Sequence, residues 1–211
     1  VQGICHTRYT VGSAPLPTGV PMKALPLVVA MALGSVSLSA LADWQLSGDD
    51  SRLWFGSVKN QSIGETHHLD GLSGGIDDSG KVTIEVATES LDTGIDIRDE
   101  RMLEHLLAAA SFAISAQVDT SSFDSLGVGE TLATSIPVDI SLGSASTEQE
   151  AQVLVARLAD TRWLVVSDQP VWLSAESLGF EDGIAALQEI AGLSSIDRTS
   201  PVGFRLMFEA P

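Results

Sequence analysis

The sequence has a single cysteine, Cys5, which lies upstream of Met22, the first methionine. The rest of the chain therefore lacks the second thiol that a disulfide requires. It also lacks the thiolates that structural zinc and iron–sulfur sites use. Downstream of Met22 we predict neither a disulfide framework nor a thiolate metal site.

Basic residues are scarce, with 11 Lys and Arg against 28 Asp and Glu, a formal net charge of −17. If the segments that carry Arg8 and Lys23 are removed, as argued below, nine basic residues remain and the net charge is about −19. Nucleic acids and anionic lipid headgroups both bind clusters of Lys and Arg. We therefore predict no nucleic-acid partner and no docking on anionic headgroups.

Nucleotide-binding motifs are also missing, since neither G-x-G-x-x-G nor G-x-x-x-x-G-K-[ST] occurs in the sequence. His105, with Asp99 or Glu104, would serve a serine nucleophile only in a geometry that a sequence does not show. We predict no catalytic residues, no enzyme and no cofactor.

The most metal-like group is His67 and His68 with Glu65 and Asp70. Adjacent residues of a strand point to opposite faces, so the two histidines cannot both bind one ion without a bend. We interpret them as polar residues on the surface of a strand and predict no metal site.

The N-terminal part reads as a targeting segment. Met22 and Lys23 precede an apolar run from about Ala24 to Leu38, and Ala40-Leu41-Ala42 has the A-x-A form of a cleavage site. The run is too short for a comfortable membrane span, although an N-terminal anchor is the alternative. We expect residues 1–21 to be untranslated or disordered, residues 22–42 to be a signal peptide, and residues 43–211 to be one periplasmic domain without a stable membrane span.

Most of this domain alternates apolar and polar residues with the period of two that half-buried strands show. The predicted strands are Trp44–Lys59 with a bulge at Gly48-Asp49-Asp50, Thr66–Ile76, Lys81–Glu89, Phe112–Asp119, Ser135–Leu142, Gln152–Leu158, Arg162–Ala175 and Val202–Phe208. About eight strands without strand–helix alternation favour an all-β antiparallel sandwich or barrel. Because Pro137 has no backbone N–H, it has to lie where the hydrogen-bond ladder of the sheet needs no donor. An eight-stranded barrel is either filled by side chains or holds one ligand, and the pattern leaves both open.

One helix interrupts the strands within the stretch Ser90–Ala109. Leu103, Leu106, Leu107 and Ala110 recur with helical spacing, and Asp96 is placed to cap the helix. This apolar stripe is either plain core or the wall of a ligand pocket. A second, short helix is predicted at Ile184–Ala191, before the last strand.

Three segments together carry a family resemblance. The motif TG-x-x-x-RDE-x-x-x-EHL from Thr93 to Leu106, the Trp-led first strand and the C-terminal run from Leu178 to Ala210 resemble the YceI-like family. The likeness spans about Asp43 to Ala210. It implies an extracytoplasmic, lipocalin-like eight-stranded antiparallel barrel that holds a long isoprenoid or fatty chain, such as a polyprenyl chain or an isoprenoid quinone. One departure is Ala108-Ala109-Ala110 after the helix, where many relatives carry an aromatic–proline pair; these small residues either widen the opening beside the helix or loosen it.

Combined with the strand pattern, the resemblance predicts an apolar cavity. The expected cavity residues are Phe55, Ile84, Val86, Leu103, Leu106, Phe112, Ile114, Val138, Ile140, Val165, Phe204 and Leu206. The expected partner is a hydrophobic small molecule, bound by a monomer or homodimer. A filled barrel that serves as a structural or protein-interaction module in envelope stress is the alternative.

The expected head-group residues are Arg98, Arg101 and Arg198. In the other interpretation Arg98 pairs with an acid of the loop Asp92–Asp96 and locks the joint between strand and helix. Because so few cations stand among so many acids, we expect a neutral or weakly polar head and not a diphosphate.

Overall fold

The computed structural model describes residues 44–107 and 111–210. The strands are β1 Trp44–Leu46, β2 Arg52–Lys59, β3 Ile63–Leu69, β4 Leu72–Ile76, β5 Lys81–Val86, β6 Leu91–Asp92, β7 Phe112–Gln117, β8 Thr131–Leu142, β9 Ala145–Ala159, β10 Arg162–Ser167, β11 Val171–Ser174 and β12 Thr199–Glu209. The helices are α1 Asp96–Met102, which continues into a π-helical turn Leu103–Leu107, α2 Thr120–Asp124 and α3 Glu181–Ile190; a 3₁₀ turn covers Thr88–Ser90. The predictions for residues 1–42 fall outside the described residues. So does the segment Ala108–Ala110, which departs from the family pattern.

The strand segments form a closed, eight-stranded antiparallel barrel, as predicted. Four barrel strands consist of two consecutive segments each, namely β1 with β2, β3 with β4, β5 with β6 and β10 with β11. The last strand, β12, closes the ring because it pairs with β10 and β11 on one side and with β1 and β2 on the other. The two predicted helices also occupy their expected places, α1 after the third barrel strand and α3 before the last.

Breaks within the strands fall where the backbone cannot stay regular. The first strand breaks between Leu46 and Arg52, at the predicted bulge. At Gly48 a Cβ would lie 2.7 Å from the backbone oxygen of Leu72, so only glycine lets the two chains approach this closely. Pro137 pairs with Glu150 of β9, and the β7–β8 ladder ends at Val138, so no donor is missing on the β7 side.

Aromatic side chains close one end of the barrel. Trp44 stacks on Trp163 with ring centroids 3.9 Å apart, and Phe123 meets Trp163 edge-on at 5.8 Å. Phe123 belongs to α2, a helix that the sequence pattern did not predict. Its N-cap residue Asp119 accepts a hydrogen bond from the Ser121 backbone at 3.1 Å, and Arg157 donates to the carbonyl oxygen of Asp124 at 3.0 Å. This end is therefore a packed floor.

Helices α1 and α3 cover the opposite, open end. The prediction that Asp96 caps α1 is wrong. Asp96 is the first helical residue, and the N-cap is Ile95, whose side chain offers no hydrogen-bond acceptor. The backbone of Thr93 instead donates to Asp99 at 3.0 Å, which fixes the loop against the first helical turn. The predicted stripe is also not continuous α-helix, since α1 ends at Met102 and Leu107 is buried in the π-helical turn.

Candidate functional site

The open half of the barrel encloses a cavity of about 450 Å³. Its walls come from β2 and β3 on one side and from α1, the π-helical turn, α3 and the segment before β12 above them. Apart from a polar strip described below, the walls are largely apolar. A volume of this size falls within the range of small-molecule pockets.

A second cavity of about 100 Å³ lies on the floor side of the barrel and is lined by apolar residues alone. Leu53, Ile140 and Val202 line both cavities and so form the constriction between them. The barrel is therefore open under its helices and nearly filled near Trp163.

The structure divides the expected cavity residues into three groups. Phe55, Leu106, Phe112 and Ile140 line the larger cavity. The smaller cavity is lined by Ile84, Ile114, Val138, Val165, Phe204 and Leu206, and also by Ile140. Val86 and Leu103 line neither: Val86 is buried in the core, where it pairs with Leu72, and Leu103 packs against the core from a partly exposed position.

A polar strip runs along the inner wall of β2 and β3. The paired residues Leu53 and Leu69 lie deepest, the pair Phe55 and His67 comes next, and the pair Ser57 and Glu65 lies nearer the open end. Lys59, two residues beyond Ser57, is the last residue of the strip. Polarity therefore increases in steps from the barrel interior towards the mouth.

His67 is the deepest polar residue of this strip, with 2% of its surface exposed. The surface position expected for it is wrong, because alternation along β3 turns Glu65, His67 and Leu69 inward together. Its Nε2 lies 2.9 Å from the hydroxyl of Ser57. Burial lowers the pKa of His67, and the nearby charge of Arg98 lowers the same pKa further, so the ring is neutral at neutral pH.

Glu65 joins the barrel wall to α1. Its Oε2 lies 2.9 Å from the Lys59 ammonium and 3.0 Å from the Arg98 guanidinium, and all three side chains are about one-quarter exposed. The hydrogen bonds from Lys59 and Arg98 hold the pKa of Glu65 below its usual value. Arg98 also donates to the hydroxyl of Thr93 at 2.8 Å. The acid expected from the loop Asp92–Asp96 is thus not the partner of Arg98; the partner is Glu65 of β3.

All three expected head-group arginines lie on the wall of the larger cavity. Arg98 is held by Glu65 and Thr93 as described, and Arg198 donates to the carbonyl oxygen of Glu181 at 3.2 Å. Arg101 forms no hydrogen bond or ion pair with the residues that the structure describes. Four polar residues of the strip were not expected, namely Ser57, Lys59, Glu65 and His67; the inward placement of Leu69 two residues after His67 was the available signal.

The described ranges hold neither a metal-binding cluster nor a hydrolase elbow. Among residues 44–107 and 111–210 there is no group of three metal-ligating side chains. The spacing G-x-S-x-G does occur, at Gly71–Gly75, but Ser73 lies within β4 and the next element is β5, so this is not the strand-to-helix elbow of a hydrolase. In the same ranges, each helix is too short or too polar to cross a membrane.

Comparison with solved structures gives two informative likenesses. A polyisoprenoid binding domain from Saccharophagus degradans, implicated in plant cell wall breakdown, is 32% identical with a TM-score of 0.78, over 81% of this chain and 100% of that chain. BcnA from Burkholderia cenocepacia is 10% identical with a TM-score of 0.57, over 77% of this chain and 98% of that chain, a likeness of fold alone. No family model and no curated protein matches the chain.

Proposed function

This chain belongs to the YceI-like family, and from that membership we propose that it is a periplasmic protein that binds and carries a long-chain amphiphile. The ligand is an isoprenoid or fatty-chain lipid whose tail occupies the barrel. The solved relative named a polyisoprenoid binding domain supports this ligand class. The protein acts as a carrier and not as an enzyme.

One observation carries the proposal: the apolar cavity of about 450 Å³ between the barrel and the helices that cover its open end. Each CH₂ group moved from water into such a cavity contributes about 0.8 kcal/mol. A tail of some ten or more carbons can thus offset the ordering and desolvation costs of binding. Leu106 and Leu107, on the π-helical turn, then serve as a wall of the pocket as well as core.

Native mass spectrometry of the purified protein, followed by organic extraction, tests the proposal directly. We expect a co-purifying lipid whose removal leaves a protein that takes up a polyprenyl alcohol. Ile140→Trp places an indole at the constriction between the two cavities and should abolish uptake. The matched control is Leu158→Trp, because Leu158 is 44% exposed and lines neither cavity.

The alternative is a structural or protein-interaction barrel without a ligand. The nearly filled floor half, with a void of only about 100 Å³, is the observation in its favour. It gains support if no lipid co-purifies and no polyprenyl alcohol binds. In that case Ile140→Trp should lower the free energy of unfolding and change nothing else.

Export is tested separately. We expect periplasmic extract to contain a mature chain that begins at Asp43, which N-terminal sequencing would identify. An intact Met22 start in the membrane fraction would contradict the proposed cleavage.

A further inference from the structure

The imidazole of His67 leaves one nitrogen without a partner. Its Nδ1 is buried and neither donates nor accepts a hydrogen bond within the described part of the chain. The ring is 2% exposed, lines the larger cavity and sits 5.1 Å from the ring of Phe55, centroid to centroid. A buried polar atom of this kind is costly unless something pairs with it.

The other nitrogen is already fixed. Nε2 and the hydroxyl of Ser57 are 2.9 Å apart, and one donates while the other accepts. If Nε2 accepts from Ser57, Nδ1 carries the ring proton and can donate a hydrogen bond. If Nε2 donates to Ser57, Nδ1 has a lone pair and can accept one. Since burial keeps the ring neutral, this nitrogen suits an uncharged partner better than an ion.

The cations on the same wall are largely engaged. Lys59 and Arg98 share one oxygen of Glu65, and Arg198 binds the Glu181 carbonyl oxygen. Asp197 adds a second acid to the cavity wall. An anionic head would have to displace these contacts or turn to Arg101, and it would meet two carboxylates. A neutral oxygen hydrogen-bonded to Nδ1 of His67 would displace no ion pair.

Resting on the carrier function above, we propose that His67, held by Ser57, hydrogen-bonds an uncharged oxygen of the ligand head group. The head then lies inside the barrel beside Phe55, and not at the mouth beside Arg101. An alcohol hydroxyl satisfies either tautomer, and a quinone carbonyl requires the tautomer in which Nδ1 carries the proton. His67 is thus the residue that sets head-group specificity, and Ser57 is its positioning residue.

The test holds the tail constant and varies the head. The probes are the C20 prenyl hydrocarbon, geranylgeraniol, a naphthoquinone with the same C20 tail, and geranylgeranyl diphosphate. The variants are His67→Phe, His67→Asn, which restores a polar atom near the position of Nδ1, and Ser57→Ala. His68→Phe is the matched control, because His68 is the next residue of β3 and its side chain points to the other face.

We expect wild type to bind the alcohol and the quinone about tenfold more tightly than the hydrocarbon, roughly the effect of one buried hydrogen bond. His67→Phe should remove that preference and keep hydrocarbon binding, His67→Asn should restore part of it, and His68→Phe should keep all of it. In wild type, the ¹⁵N chemical shift of His67 Nδ1 should move with the alcohol and not with the hydrocarbon. This readout does not depend on whether a variant folds.

Two outcomes would overturn the inference, and a third would reject the carrier function on which it rests. Equal affinity for alcohol and hydrocarbon in wild type would remove head-group recognition while the carrier function stands. A preference for the diphosphate that Arg98→Gln/Arg101→Gln abolishes would assign recognition to the arginines. Failure of every probe, including the hydrocarbon, would instead reject the carrier function.

Discussion

Trp44 and Trp163 stack at 3.9 Å with their ring planes 17° apart, and Phe123 stands edge-on against Trp163. Trp163 is 1% exposed and also lines the small apolar cavity. The stack therefore closes the barrel where a long tail would otherwise leave it. If the proposed lipid tail occupies the barrel, the position of this floor limits the length of tail that fits.

Trp163→Ala should lower the free energy of unfolding by about 3–5 kcal/mol, the usual cost of a large aromatic truncated in a core. The new space adjoins the small cavity, so the tail length that binds most tightly should increase. Urea unfolding and a series of polyprenyl alcohols of increasing length measure the two effects. Trp172→Ala is the control, because Trp172 is 59% exposed and should change neither. If a folded Trp163→Ala protein keeps the wild-type preference for tail length, the Trp163 stack does not limit the length of tail that binds.

The contact of Glu65 with Arg98 connects α1 to the barrel wall. Glu65→Gln keeps the size of the side chain but removes the charge shared by Lys59 and Arg98. We expect a loss of about 1–2 kcal/mol, since it leaves two partly buried cations without their counter-ion. Hydrogen exchange should become faster in α1 than in the strands.

The matched control for this pair is Arg52→Gln. The bidentate Arg52–Asp70 pair has shorter contacts, 2.6 and 2.8 Å, but both side chains are nearly half exposed. Exposed pairs contribute little to stability, because water screens the two charges. If Arg52→Gln costs as much as Glu65→Gln, the attachment of α1 does not depend on the partly buried position of Glu65.

Alternation predicted the barrel strands where one face is uniformly apolar. In β5, Ile84 faces inward between Thr83 and Glu85, so the period of two is easily seen. Its partner Ile114 in β7 lies between the small residues Ala113 and Ser115. Strand β3 carries Glu65 and His67 on its inner face, so its polarity pattern gives no apolar side near the mouth. The sequence therefore placed His67 at the surface, although Leu69 fixes the inward face.

Contacts between distant segments were not predictable in the same way. Asp96 satisfies the composition rule for a cap, but the loop conformation brings Thr93 to Asp99 and leaves Ile95 at the cap position. The partner of Arg98 is Glu65, 33 residues earlier, because the barrel brings β3 beneath α1. Helix α2 has five residues, too few for a helical period to show.

Gly183 controls how closely α3 approaches the π-helical turn. A Cβ there would lie 2.2 Å from the carbonyl oxygen of His105. Gly183→Ala should destabilise the helical cover by about 1–3 kcal/mol, more than the roughly 1 kcal/mol that alanine gains in helix propensity. Faster hydrogen exchange in residues 103–107 and a faster ligand off-rate are the measurements. Ala185→Leu, on the exposed face of α3, should leave both rates unchanged.

The neutral, buried His67 should make stability depend on pH. Its pKa in the folded chain lies below the value of about 6.5 in the unfolded chain, because burial and the charge of Arg98 oppose protonation. Below about pH 6.5 the unfolded chain binds a proton that the folded chain resists, so the free energy of unfolding falls as the pH decreases. Glu65, with a lowered pKa, stays ionised across this window. In urea unfolding at about pH 7.5 and 5.5, His67→Asn should therefore lose less stability than wild type. An identical loss in wild type and His67→Asn would show that His67 is not held neutral.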